Sequence, residues 1–157
     1  MKEDVVSFDI SSQSLYNVHT VEEEILSRRH QIQTYLQHAR QALESAASNL
    51  EHGFHATAIN RAYYAIFYAA SGLLLTKGIS RSKHTGVIST FREHFVKPGL
   101  IEVEYSDLYG DTMDARVGSD YDVTFESDAV TAQERLDDAH RFVDRVAGYL
   151  FDTEGIR

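Results

Sequence analysis

The chain has 157 residues, of which 43% are hydrophobic and 25% charged, with one proline and no cysteine. This length corresponds to one ordinary domain, and the composition is that of a folded protein rather than a disordered segment. The lack of cysteine excludes disulfides, thiolate zinc sites and cysteine nucleophiles. The formal net charge of −9 disfavours broad, non-specific nucleic-acid binding, because the overall field repels a phosphate backbone. A local basic site for one nucleotide or RNA strand, or a basic partner protein, remains compatible with it.

The sequence shows neither a secretion signal nor a membrane span. The first twenty residues carry Glu3, Asp4 and Asp9 and lack an apolar core. The most apolar run, residues 62–75, is interrupted by tyrosines, a serine and a glycine, and it is shorter than the roughly 18 residues that a span requires. We therefore expect a cytoplasmic protein that does not associate with membranes.

Helical patterns begin after an N-terminal stretch without periodicity. We expect an irregular arm over residues 1–20, followed by a single helical domain over residues 21–152. Thr20, followed closely by three glutamates, predicts a helix start. From there apolar residues recur at steps of three, four or seven, which predicts one long amphipathic helix that ends near Gly53.

The remainder of the chain predicts further helices. The second begins after Gly53 and runs to about Lys77, and its apolar residues occupy two faces, so it should be central. Ser80 or Ser82 is expected to cap a shorter third helix that Pro98 and Gly99 end. A fourth helix is expected from about Glu102 to Val117, with Gly118 as its stop, then a polar connection over 119–128 and a last amphipathic helix. The fold class is all-α: an up-and-down helical bundle of four main helices plus a short one.

The first candidate site lies in the second helix, where Asn60, Arg61 and Tyr64 stand among buried positions. Burying an amide or a guanidinium costs free energy unless the group meets a partner. A structural network that holds the helices in register is the first interpretation. Binding of a nucleotide or a phosphate is the second.

Two further candidates follow along the chain. Lys83 and His84 lie at the predicted start of the third helix, where free backbone amides and a basic side chain favour a phosphate. His84 shares a helix face with Ile88 and Phe91, so a half-buried histidine hydrogen-bonded to a neighbouring helix is the competing interpretation. Arg116 is followed four residues later by Asp120, which by spacing alone predicts an ordinary ion pair. His52 and His55 lie three residues apart without further ligands, and we expect neither a metal site nor a cofactor.

Taken together and in this order, three stretches resemble a family. They are NRAYYAIFYAA at 60–70, SKHTGVI at 82–88 with FVK at 95–97, and RVGSDYD at 116–122. They resemble a small prokaryotic subfamily of the HEPN (higher eukaryotes and prokaryotes nucleotide-binding) domains, over roughly residues 30–150. The resemblance implies a helical bundle, a homodimer, and a minimal nucleotidyltransferase as partner in a toxin–antitoxin or defence pair.

The resemblance also implies a chemistry. Many HEPN relatives are metal-independent ribonucleases in which an arginine precedes a histidine by four to six residues, and dimerisation brings two copies of this motif to one cleft. Here Arg116 is followed by Asp120 and Tyr121 instead, in an Arg-x-x-x-Asp-Tyr motif. An ionised aspartate does not readily donate a proton and repels a phosphate. His84 would have to replace the missing histidine if folding brings it near Arg116.

Three functional hypotheses follow from the sequence. The first is a nucleotide- or partner-binding module with little or no catalysis, using Lys83, His84, Asn60, Arg61 and Tyr64. The second is a metal-independent ribonuclease toxin with Arg116, Asp120, Tyr121 and His84 as its catalytic candidates. The third is a structural dimerisation module. In the first two, the motif residues should share one polar cleft with the start of the third helix or with the Asn60–Arg61 pair.

Overall fold

The computed structural model describes residues 10–121 and 127–157, with side chains from residue 14 onward, and the regular structure of these residues is entirely helical. The elements are α1 (Ile10–Glu51), α2 (His55–Leu75), α3 (His84–Phe91), α4 (Val103–Tyr121) and α5 (Ala129–Glu154). A π-helical turn, Arg92–Val96, continues α3. The predicted all-α bundle of four main helices and a short one is confirmed.

Helix α2 forms the centre of the bundle. Twelve of its 21 residues are buried, and α1, α4 and α5 all pack against it. Many of the buried residues are alanines, which let neighbouring helices approach closely. One close approach is at Gly72, where an added Cβ would lie 3.0 Å from the Cβ of Tyr35 on α1. Two faces of α2 are therefore buried, as the doubled apolar pattern of the sequence predicts.

Helix α5 is fixed at both ends. The Asp128 side chain accepts a hydrogen bond from the Thr131 amide at 2.6 Å, which caps the N-terminus. Gly155 ends the helix in the left-handed conformation, at φ 61°, and directs Ile156 back into the core. Arg29 of α1 donates to the carbonyl oxygens of Glu154 and Gly155, so the last turn of α5 is tied to the first helix.

The predicted irregular arm over residues 1–20 is wrong for residues 10–20, which form the first turns of α1; residues 1–9 lie outside the described residues. Adding turns to an existing helix is cheap once the helix is nucleated, and no proline or glycine occurs here. Thr20 does not cap a helix, because its hydroxyl donates to the Tyr16 carbonyl within α1. Side chains 14–28 are exposed, so this part of α1 buries no face against the described residues.

Two further helix boundaries differ from the predictions. Lys83 occupies the N-cap position of α3 and no side chain caps it, so neither Ser80 nor Ser82 has that role. Helix α4 continues through Gly118 to Tyr121, because Gly118 does not adopt the positive φ with which glycine ends a helix. Among the described helices, none combines the length and the apolar character needed to cross a membrane.

Candidate functional site

Polar and aromatic side chains from three helices meet at one place on the bundle. The N-terminal half of α2, the first residue of α3 and the last turns of α4 all contribute. We call this group the Arg116 cluster, and its members are Arg116, Asp120, Asn60, Tyr63, Tyr64 and His84.

Arg116 is largely buried for an arginine, with 15% of its side chain exposed. Its guanidinium carbon lies 5.0 Å from the ring centroid of Tyr63 and 5.7 Å from that of Tyr64, the range of cation–π attraction. Its Nε lies 3.3 Å from Oδ2 of Asp120, one turn further along α4. The angle does not suit a hydrogen bond, so among the described residues the Nε–H donor has no acceptor. The pair is an ion pair that leaves donor capacity on the arginine.

Asp120 joins α4 to α2. The Nδ2 of Asn60 donates to Oδ2 of Asp120 at 3.4 Å, the same oxygen that faces Arg116. Arg61 in turn donates to Oδ1 of Asn60 from Nε at 3.2 Å and from a terminal nitrogen at 2.7 Å, and its guanidinium carbon lies 4.7 Å from the Tyr64 ring centroid. Asn60 of one predicted candidate site thus contacts the motif carboxylate of another, and Arg61 is linked to that carboxylate through Asn60.

His84 enters the cluster from the start of α3. Its Nδ1 lies 2.6 Å from the hydroxyl of Tyr63, and its ring stacks on Phe67 with centroids 4.5 Å apart. Burial, and next the nearby Arg116 guanidinium, hold the pKa of His84 below its usual value of 6.5. The imidazole is therefore neutral at physiological pH.

Beneath the histidine lies a pair of buried tyrosines. Tyr63 and Tyr109 are fully buried, with ring centroids 6.2 Å apart. Burial raises the pKa of Tyr63 to about 12, although Arg116 opposes the shift, and burial raises the pKa of Tyr109 well above its usual value. Both phenols therefore keep their protons near neutral pH, so each must find an acceptor or remain unpaired.

Two predicted site residues lie apart from the cluster. Lys83 is exposed, and Tyr121 has 74% of its surface exposed, and neither makes a hydrogen bond or ion pair with the described residues. Asp122 lies outside the described residues. Within the described ranges, no group of three or more histidine, aspartate or glutamate side chains is arranged to hold a metal ion.

Sequence reasoning missed the roles of Tyr63, Phe67 and Tyr109. Tyr63 lies within the stretch at 60–70 that carries the family resemblance, but its hydroxyl was given no partner. A buried phenol needs a hydrogen-bond partner, and that requirement is the signal that the sequence offers. Which partner satisfies it depends on how α2, α3 and α4 pack, and this packing does not follow from periodicity.

Comparison with known proteins agrees with this architecture. The sequence model that describes the HEPN domain family matches residues 32–149, which include the whole Arg116 cluster. The chain belongs to the HEPN family. It is 34% identical to a UPF0332 protein of Thermotoga maritima over 78% of this chain and 93% of that one. It is 30% identical to "Putative toxin MJ0142" of Methanocaldococcus jannaschii over 80% of this chain and 85% of the relative.

A second toxin-named relative in Methanocaldococcus jannaschii is 36% identical over 75% of this chain and 87% of its own length. Among solved structures, TT1696 from Thermus thermophilus aligns with a TM-score of 0.64 and 20% identity, covering 76% of this chain and 98% of that one. This structural likeness concerns the fold alone, and it agrees with the helical HEPN bundle described above.

Proposed function

We propose that this HEPN protein binds the phosphate of an RNA strand or a nucleotide at the Arg116 cluster, with little or no cleavage. We also propose that it acts as the companion of a minimal nucleotidyltransferase in a toxin–antitoxin or defence pair. The observation that carries the proposal is the position of Arg116. Its guanidinium lies over two tyrosine rings beside His84, with Asp120 where ribonuclease relatives carry a histidine.

Binding is supported by the donors that the cluster offers. Arg116 keeps a buried Nε–H without an acceptor among the described residues, and its planar guanidinium suits phosphate oxygens. Arg61 supplies a second positive charge beside Tyr64. These two cations concentrate positive charge at one place in a chain of net charge −9, which favours one local phosphate over a long backbone.

Weak catalysis is supported by the environment of the motif carboxylate. Cleavage of RNA without a metal requires groups that accept and donate protons near neutral pH. Asp120 instead accepts a hydrogen bond from Asn60 and pairs with Arg116, so it is occupied as a structural anion. A phosphate that approaches Arg116 meets this negative charge, which lowers affinity without supplying an acid.

The proposed partner is supported by the family resemblance. The Arg-x-x-x-Asp-Tyr motif and the ordered stretches around it resemble those of HEPN proteins produced beside minimal nucleotidyltransferases, and two relatives carry a toxin name. Co-purification with the nucleotidyltransferase encoded by an adjacent gene tests this part. A defined complex on size exclusion supports it, and the absence of such a gene or of a complex contradicts it.

The binding claim is tested by fluorescence anisotropy with a labelled single-stranded RNA at low salt. Arg116→Ala should weaken binding at least tenfold, because it removes the central cation. Arg141→Ala is a matched control, because this arginine lies on an exposed part of α5 and pairs with Glu104, away from the cluster. Equal affinity for the wild type and Arg116→Ala would contradict the proposal.

A metal-independent ribonuclease toxin is the second candidate function. One observation favours it: His84 is close enough to Arg116 for the guanidinium to lower the pKa of the imidazole. Cleavage that requires both residues would establish this alternative.

A further inference from the structure

The hydrogen bond between Tyr63 and His84 has one donor and one acceptor, and the burial of Tyr63 determines which group donates. The bond joins the Tyr63 hydroxyl to Nδ1 of His84 at 2.6 Å. A tyrosine hydroxyl can donate or accept, and a neutral imidazole nitrogen does one or the other according to its tautomer. Two arrangements therefore fit the distance: Tyr63 donates to a bare Nδ1, or a protonated Nδ1 donates to Tyr63.

The burial of Tyr63 distinguishes the two arrangements. Tyr63 is fully buried, and among the described residues its hydroxyl meets Nδ1 of His84 as its hydrogen-bond partner. Tyr109 packs against it with ring centroids 6.2 Å apart, but the Tyr109 hydroxyl makes no hydrogen bond with the described residues. The direction of the bond therefore depends on where the Tyr63 proton finds an acceptor.

If Tyr63 donates to Nδ1, its buried proton has an acceptor, and the imidazole proton lies on Nε2 of a half-buried ring. In the reverse arrangement, Nδ1–H donates to Tyr63, and the Tyr63 proton is left buried without an acceptor among the described residues. Leaving a buried donor unpaired costs about 1–3 kcal/mol. The first arrangement is favoured by this penalty.

We propose that Tyr63 is a positioning residue that holds His84 as the tautomer protonated on Nε2, so that His84 is a neutral hydrogen-bond donor to a phosphate oxygen held by Arg116. This rests on the proposed phosphate binding for its ligand, and on the burial and hydrogen bond of Tyr63 alone for the tautomer. Because Nδ1 is engaged, Nε2 is directed away from Tyr63, and among the described residues it has no hydrogen-bond partner.

The assignment also defines what His84 does not do. With its proton on Nε2 and its Nδ1 occupied, the ring has no free nitrogen to accept a proton from an RNA hydroxyl. A neutral imidazole is also a very weak acid. His84 therefore recognises an oxyanion, which agrees with binding in preference to cleavage.

The tautomer is measured by long-range ¹⁵N–¹H NMR correlation of the histidine side chains at pH 7.5, on the full chain. The wild type should show His84 with a protonated Nε2 and a bare Nδ1. Tyr63→Phe should convert His84 to a mixture of tautomers, because the donor to Nδ1 is lost. Tyr64→Phe is the matched control: this neighbouring ring also meets His84, with centroids 5.6 Å apart, but has no hydrogen bond to it. A wild-type His84 protonated on Nδ1 would overturn the assignment.

The ligand is tested with inorganic phosphate as the probe, followed by the Nε2–H resonance of His84. Phosphate should shift this resonance in the wild type, and Tyr63→Phe should weaken phosphate binding about three- to tenfold, the value of one hydrogen bond. His84→Gln, which places an amide N–H near the position of Nε2, should bind phosphate within about twofold of the wild type, whereas His84→Ala should not.

Two outcomes distinguish a failure of the proposed phosphate site from a failure of the proposed role of His84. The expected tautomer with no response to phosphate would refute the ligand and the proposed phosphate site together, and leave the positioning role of Tyr63 standing. Phosphate binding that survives in His84→Ala but not in Arg116→Ala would refute the role of His84 while leaving the proposed function intact.

Discussion

Asp120 is the residue that most separates this protein from a HEPN ribonuclease. Its Oδ2 lies 3.3 Å from Nε of Arg116 and accepts a hydrogen bond from Asn60. The carboxylate therefore holds the arginine in place and neutralises part of its charge. Both side chains are partly exposed, so the pair is screened and contributes little to stability. The pair mainly lowers the affinity for an anionic ligand, because the ligand must share the guanidinium with a fixed negative charge.

Replacing Asp120 by histidine should move the site toward the active pattern. Asp120→His removes the negative charge beside Arg116 and adds a group that titrates near pH 6.5. We expect RNA cleavage without metal, with an optimum near neutral pH, in an assay of a labelled RNA in a chelating buffer. Asp120→Asn is the control, since it removes the charge without adding a proton carrier and should bind RNA several-fold more tightly without cutting it. Cleavage by Asp120→His that persists in a second variant lacking Arg116 would contradict this account.

His84 should make the stability of the protein depend on pH. Because burial and Arg116 lower the pKa of His84 in the folded state below 6.5, the unfolded chain binds more protons in mildly acid solution. The free energy of unfolding should therefore be fully retained above about pH 6.5 and should fall as the pH drops through 6.5 toward the lowered value. Urea unfolding at pH 7.5 and 5.5 measures this. His84→Gln should reduce the loss, and an equal loss in both proteins would assign it to other groups.

At the scale of elements, the close contact between α1 and α2 is the feature most sensitive to substitution. Gly72→Ala would place a Cβ 3.0 Å from Tyr35 Cβ and 3.6 Å from the Ile32 carbonyl oxygen, so the helices must separate. We expect a loss of about 1–3 kcal/mol, measured as a lower Tm. Gly148→Ala in α5 is the matched control, because no atom lies within 4 Å of its added Cβ, and it should stabilise by about 0.5–1 kcal/mol. Equal effects of the two substitutions would contradict the packing described.

The number and type of the helices could be predicted from the sequence, because the apolar periodicity of α2 and α5 follows directly from the faces they bury. The first turns of α1 could not, because residues 10–20 hold too few apolar residues to establish a period ahead of Thr20. The contact of Asp120 with Asn60 was anticipated as one of two arrangements. The Tyr63–His84–Tyr109 group was not, because it depends on the mutual packing of three helices.

For the whole molecule, we predict a homodimer. Exposed apolar side chains follow one another along the first turns of α1, at Leu15, Val18, Val21 and Ile25, and a single chain leaves them in contact with water. The tyrosines of α2 offer less exposed surface for such a contact, because Tyr63 is buried fully and Tyr64 and Tyr68 in part. Multi-angle light scattering should give twice the chain mass of 17.8 kDa. A monomeric mass at high micromolar concentration would contradict the predicted dimer and exclude a cleft shared between two copies.

The central claim is that this HEPN protein binds phosphate at the Arg116 cluster and does not cut RNA efficiently. The most direct measurement follows one labelled RNA for binding and for degradation in the same metal-free buffer, with the wild type and with Arg116→Ala. The account predicts that the wild type retains the RNA intact and that Arg116→Ala binds it at least tenfold more weakly. Robust cleavage by the wild type that disappears in Arg116→Ala would contradict the account and identify the protein as a ribonuclease.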